Sequence, residues 1–215
     1  MTKACKYFCL AVAALFLTIC PSARADTAYL DLTGAGNNVA DGVYVGPYTA
    51  TINGVTTLVI CDDYSHESYL NDPWWADTST FPTLTDARFT GPNEIQNYDE
   101  VAYLAGILFG LSGDDAQADA VQFAIWYIND PTDVDSTQCF GSADVDCVSY
   151  WLSQASSQNF TQNEFTNLML YTPVGGGNPQ EFIVETPEPA VILLLAIGLL
   201  AVLVIKRRPS AISLA

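Results

Sequence analysis

Between Ala28 and Cys61 the hydrophobic and polar positions read as a series of β-strands. Ala28 to Leu32 alternates, and Gly42 to Tyr48 is rich in Val, Tyr and Gly. Tyr48 to Ile52 and Val55 to Cys61 flank Asn53-Gly54, a dipeptide that accepts positive φ at both positions and so predicts a tight hairpin. Cys61 then falls at the end of the second strand, before a polar exit, Asp62-Asp63-Tyr64-Ser65-His66. Pro73, Pro82, Gly91 and Pro92 predict irregular chain over residues 71–97. Within it, Trp74 and Trp75 either pack over the core or offer an aromatic pair to a sugar.

The period then changes. Asn97 or Asp99 opens a run, Glu100 to Leu111, that is apolar almost all round and predicts a buried helix. Ser112-Gly113 breaks it. A second helix is expected from Asp114 or Asp115 to Ile128, with its acids in the first turn, where the helix dipole favours them. Asn129-Asp130-Pro131 ends that helix. Shorter helices are expected over Val148 to Ser156 and Gln162 to Leu170, a flexible turn at Gly175-Gly176-Gly177, and a last strand from Gln180 to Glu185. No internal repeat is present. The pattern describes an α+β domain.

The two ends have a different character. Lys3 and Lys6, an apolar run from Leu10 to Ile19, and Ala23-Arg24-Ala25 form the three parts of a secretory signal, so residues 1–25 are expected to be removed before Asp26. Near the other end, Pro187-Glu188-Pro189 precedes Ala190 to Ile205, which as a helix rises roughly 24 Å, slightly less than a bilayer core. Lys206-Arg207-Arg208 follows and would stay cytoplasmic. Together these features of residues 186–215 resemble the PEP-CTERM sorting signal. The resemblance implies a Gram-negative bacterium, transient anchoring in the inner membrane, and an exosortase-like enzyme that cuts near Pro187-Glu188-Pro189. The body, residues 26–185, would then reach the cell surface or extracellular matrix. A plain C-terminal membrane anchor is the alternative.

Charge narrows the partners. All 24 Asp and Glu lie in residues 26–189, which hold one basic side chain, Arg88, and no lysine. Nucleic acid and anionic membranes are poor partners for such a surface. Asp133, Asp135, Asp144 and Asp146 cluster in sequence, but no Asp-x-Asp-x-Asp-Gly calcium loop is present. No metal or cofactor is expected.

The cysteines carry the chemistry. With the leader removed, Cys61, Cys139 and Cys147 remain. Cys139 and Cys147 are near neighbours in a polar loop, and a disulfide between them would contribute about 2.5 kcal/mol by chain entropy. Cys61 has no partner, so in an oxidising compartment it is either buried or used. Gln122 is a second anomaly, an amide in the middle of an apolar helix, where its hydrogen bonds must be met. It is either a satisfied core glutamine or the partner of Cys61. A thiol displaces ammonia from a carboxamide when both are held together away from water, leaving an internal thioester. Such a bond is a masked electrophile for an amine or hydroxyl, and it would close a long loop worth about 4 kcal/mol.

Ile60-Cys61-Asp62 and Val121-Gln122-Phe123-Ala124-Ile125-Trp126 resemble the two motifs of the thioester domains of bacterial surface adhesins. The resemblance spans roughly residues 40 to 130. It implies a β-rich barrel or sandwich core with an inserted helical subdomain. It also implies covalent, single-turnover capture of a nucleophile, usually a lysine amine, on a protein or polysaccharide surface. Absence of lysine from the body then has two readings, protection against self-crosslinking or plain acidic bias. His66 is either a proton relay for the thioester or a solvated loop residue. Two other functions stay open: a structural or carbohydrate-associated matrix protein with Cys61 merely buried, and a cysteine hydrolase built on Cys61 and His66.

Overall fold

The computed structural model describes residues 27–81, 83–111, 116–161, 164–186 and 198. The secretory leader, Ser112-Gly113, Asp114, Asp115, Pro187-Glu188-Pro189 and the basic tail lie outside the described residues. Among the described residues no helix is long and apolar enough to cross a membrane.

Strands β1 (Thr27–Gly34), β4 (Tyr48–Ile52), β5 (Val55–Cys61), β6 (Trp74–Thr80), β7 (Leu168–Pro173) and β8 (Phe182–Glu185) form a closed barrel in the order β1-β4-β5-β8-β7-β6. Every pairing around it is antiparallel. Closure leaves no unpaired sheet edge. β2 (Val39–Ala40) and β3 (Val43–Tyr44) make a separate small hairpin. Helices α1 (Glu94–Gly110), α2 (Ala116–Asn129) and α3 (Val148–Ser156) are inserted between β6 and β7. The architecture is therefore the β-rich barrel with an inserted helical unit that the sequence suggested.

Alternation builds the barrel wall. Ala28, Leu30 and Leu32 of β1 are buried, while Tyr29 faces out. Asn53 and Gly54 take φ of 49° and 82°, and Ile52 pairs with Val55, so the hairpin forms as its turn chemistry requires. α2 buries every residue from Ala120 to Trp126, Gln122 included, as a helix apolar all round must. The Cys139–Cys147 disulfide is formed.

Three expectations are corrected. Residues 71–97 are not all irregular, because Trp74–Thr80 is the strand that closes the barrel against β1. Its first three residues alternate in burial, but Asp77, Thr78, Ser79 and Thr80 carry no apolar side chain, and Ser79 is itself buried. Of the tryptophan pair only Trp74 is buried; Trp75 lies on the outside, its ring 5.2 Å from that of Tyr29. The helix expected over 162–170 gives way to β7, which begins at Leu168 and lies between β6 and β8. Finally, α1 begins at Glu94, directly after Pro92-Asn93 and not at Asn97 or Asp99.

Arg88 ties the barrel end to the loop before α1. Its Nη1 meets Asp63 Oδ2 at 2.5 Å, and its Nη2 donates to the carbonyls of Gly177 and Pro179 at 2.8 and 2.9 Å. Asp63 is fully buried and Arg88 nearly so. Removing the cation leaves an uncompensated charge in the interior. Arg88→Met is expected to lower stability by about 3–5 kcal/mol, read as a fall in the urea midpoint at constant slope.

Candidate functional site

The end of β5 and one face of α2 are joined at three levels. Gln122 Nε2 donates to the Cys61 carbonyl at 2.7 Å. Two turns further along the helix, Asn129 Nδ2 donates to the Asp62 carbonyl at 3.0 Å. Just past the helix end, Asp130 accepts from the Tyr64 N–H at 3.0 Å and from the Ser65 hydroxyl at 2.6 Å. Trp126 lies between, and Gln122, Trp126 and Asn129 share one helix face by their spacing of four and three residues. The structure thus brings Cys61 and Gln122 together at a buried strand end.

Gln122 is only half satisfied. Its amide nitrogen is bonded, but Oε1 is buried without a hydrogen-bond partner. That oxygen lies against Gly46, where a Cβ would come within 2.9 Å of it. Leaving a carbonyl oxygen unpaired in the interior costs on the order of 1–3 kcal/mol, and Asn129 Oδ1, further along the same helix, is left in the same state.

Cys61 is fully buried and free. Its thiol donates to the Asp63 carbonyl at 3.1 Å, and the Asp63 N–H returns to the sulfur at 3.4 Å. Burial pushes the thiol pKa well up, and the neighbouring charges of Asp63 and Asp62 add to the rise. The Asp63 backbone opposes it, as does the Trp126 side chain. The indole N–H of Trp126 has no hydrogen-bond partner of good geometry, so its effect on the sulfur is weak. Burial also shields the sulfur from external oxidants and alkylating agents.

His66, the relay candidate, makes no hydrogen bond with Cys61 among the described residues. Its Nδ1 lies 2.9 Å from Asp63 Oδ1, and its N–H donates to the same oxygen at 3.2 Å. The ring lines a cleft of about 650 Å³ whose walls include Tyr44, Tyr48, Tyr64, Tyr69 and Trp126. Two of these wall residues, Trp126 and Tyr48, also neighbour Cys61. A cysteine hydrolase needs a thiol activated by its histidine, and neither that contact nor a lowered thiol pKa is present.

Asp62, Asp63, Glu181 and Arg88 belong to the site but were not singled out in the sequence. Asp62 and Glu181 face each other where the β5–β8 ladder continues past the Cys61–Phe182 pair. Both are buried. Glu181 accepts from Tyr98 at 2.5 Å, from the Arg88 N–H at 3.0 Å and from Thr172. Burial nevertheless raises its pKa. Asp62 is raised well above the usual carboxylate range by burial, then by the charges of Glu181 and Asp63. Asp62 Oδ1 finds no donor on the protein. Burial and both neighbouring carboxylates disfavour charge on Asp62, and a proton shared with Glu181 is the state that a pH titration tests. The sequence signal that was available is Arg88 itself, a lone base among 24 acids.

The acidic loop has other duties. Asp135 accepts from the Thr137 N–H at 2.8 Å, and Asp146 from the Ala143 N–H at 2.9 Å. Among the described residues no group of three or more His, Cys, Asp or Glu is placed to hold a metal ion.

No protein-family model matches the chain, and no curated protein matches it. Among solved structures, a pilus-presented adhesin, Spy0125 (Cpa), is similar over 76% of this chain and 49% of that one. The identity is 16% and the TM-score 0.47. The chain thus covers about half the length of that adhesin.

The protonated Asp62 carries a pH signature. Its carboxyl keeps its proton in the folded chain where the unfolded chain, with an ordinary value of 3.8, has released it. Its contribution to stability is full below about pH 4 and is lost as pH rises toward the raised folded value. Asp62→Asn, a mimic of the protonated acid, is expected to gain stability relative to the parent between pH 4 and pH 8. Paired urea titrations at several pH values measure this, and a constant difference across that range contradicts the shared proton.

Proposed function

We propose that the chain is an exported surface or matrix protein that carries a Cys61–Gln122 thioester and uses it once, to attach covalently to a nucleophile on a target surface. The observation that supports this most is the state of Gln122: its amide is held at 2.7 Å from the Cys61 backbone while its carbonyl oxygen has no partner. In the condensation, the Cys61 sulfur bonds to the carboxamide carbon and the C–N bond breaks. The thiol proton leaves with the nitrogen as ammonia. A thioester carbonyl is a weaker acceptor than an amide carbonyl, so the unpartnered oxygen then costs less. Capture reverses the logic: the nucleophile bonds to the Gln122 carbon, the C–S bond breaks, and the nucleophile's proton ends on the sulfur. Because the acyl group is consumed, one chain reacts once and does not turn over.

In this reading the leader directs export, and an exosortase-like enzyme processes the chain near Pro187-Glu188-Pro189. A second reading rests on the thiol. Cys61 is fully buried and already donates to the Asp63 carbonyl, which suits a structural cysteine in a non-covalent, carbohydrate-associated matrix protein.

Intact mass of the purified body separates the two. The thioester predicts a mass one ammonia below that of the sequence, and a methylamine adduct that maps to Gln122. An unmodified mass with Cys61 alkylated after unfolding supports the structural reading. Gly46→Ala, which places a methyl group 2.9 Å from Gln122 Oε1, is expected to fold but to lose most of the ammonia-deficient species in the same spectrum.

A further inference from the structure

The cleft walled by Tyr48, Tyr64 and Trp126 contains a feature that attack by an amine does not require. Asp63 is buried, and its carboxylate is crowded with donors: Arg88 Nη1 at 2.5 Å, the His66 N–H at 3.2 Å and the Glu181 N–H at 3.3 Å. A carboxylate so placed acts as an acceptor, so His66 Nδ1, 2.9 Å away, supplies a hydrogen to it. In the neutral imidazole that fixes the tautomer and leaves Nε2 as a bare acceptor. Nε2 has no protein partner among the described residues, and the ring lines the cleft and is about a third exposed. An imidazole oriented by a buried carboxylate, with its free nitrogen toward a ligand space, is the arrangement of a general base.

The walls of the cleft say what the base would serve. Tyr44 and Tyr69 are more than half exposed at its mouth. The Tyr64 and Trp126 rings lie 5.2 Å apart within the wall. Ser68, Glu67 and Gln180 supply hydrogen-bonding groups, and neither lysine nor arginine lines the cleft. A volume of about 650 Å³ with aromatic faces and scattered polar groups suits a neutral polyhydroxylated ligand whose C–H faces stack on the rings.

Resting on the thioester reading above, we propose that the nucleophile is a carbohydrate hydroxyl, bound in the tyrosine-walled cleft and deprotonated by His66 under the direction of Asp63. A neutral amine attacks a thioester unaided, whereas a hydroxyl needs its proton removed as the bond forms. The hydroxyl oxygen bonds to the Gln122 carbon, and its proton passes to His66 Nε2. The C–S bond breaks and His66 returns the proton to the Cys61 thiolate. The product is an ester of the former Gln122 side chain and a free thiol.

The test follows two reactions of the exported protein by intact mass and peptide mapping, with glycerol and with methylamine as probes. The parent protein is expected to form a glycerol ester at Gln122 as well as the methylamine adduct. In His66→Gln the ratio of the glycerol rate to the methylamine rate is expected to fall by about 100-fold or more. A set of neutral oligosaccharides is expected to give ester adducts at rates that saturate, with the half-saturating concentration raised in Tyr69→Ala. An unchanged glycerol-to-methylamine ratio in His66→Gln overturns the role of His66. Methylamine capture with no ester from glycerol or any oligosaccharide overturns the hydroxyl assignment but leaves the thioester standing. A mass showing no ammonia loss overturns both the thioester and the esterification that depends on it.

Discussion

A carboxylate far from water stays ionised only if a cation reaches it. Among residues 26–189 this chain has one to offer, Arg88. The Asp63–Arg88 pair is therefore the constraint on which the rest of the site depends. Asp63 uses its backbone carbonyl to take the Cys61 thiol and the Gln180 amide, and its side chain to hold His66 and the start of β8. One residue thus sets the position of the sulfur, the tautomer of the imidazole and the junction of β5 with β8. Beside it, Asp62 and Glu181 are buried with no cation of their own, and burial raises the pKa of both.

The chemistry follows from this packing. A buried thiol whose pKa is pushed up is inert toward the solvent. The group that meets it is an amide anchored by its nitrogen alone. α2 places that amide by a register that Asn129 and Asp130 repeat further along, so the approach of Gln122 to Cys61 does not hang on a single contact. The glycine at position 46 is part of the same fit, since any side chain there would occupy the space of the Gln122 oxygen.

Much of this was legible in the sequence where the cause is local. Asn53-Gly54 names its own turn, and the apolar run around Gln122 names a buried helix. Cys61 and Gln122 stand out because each is chemically out of place. Trp74–Thr80 was hidden because its second half, Asp77 to Thr80, holds no apolar residue and so shows no apolar periodicity. Leu168–Pro173 was misread because a short apolar run has no period of its own, and its neighbours β6 and β8 decide its state. The carboxyl cluster was out of reach for a different reason. Asp63 meets Arg88 across 25 positions and Glu181 across 118, and only barrel closure makes them neighbours.

β8 carries the chain out of the barrel toward its C-terminal segment, paired on both sides by antiparallel neighbours. A pull on that segment runs along the strand axis, so the ladders with β5 and β7 resist it in shear, with their hydrogen bonds strained together and not one after another. At the far end of β8 the chain is fastened by Glu181, through Tyr98, Thr172 and the Arg88 backbone. Tension on that segment is delivered to the strand that adjoins Cys61. The mechanical strength of the barrel and the surroundings of the thiol are then governed by the same few buried groups.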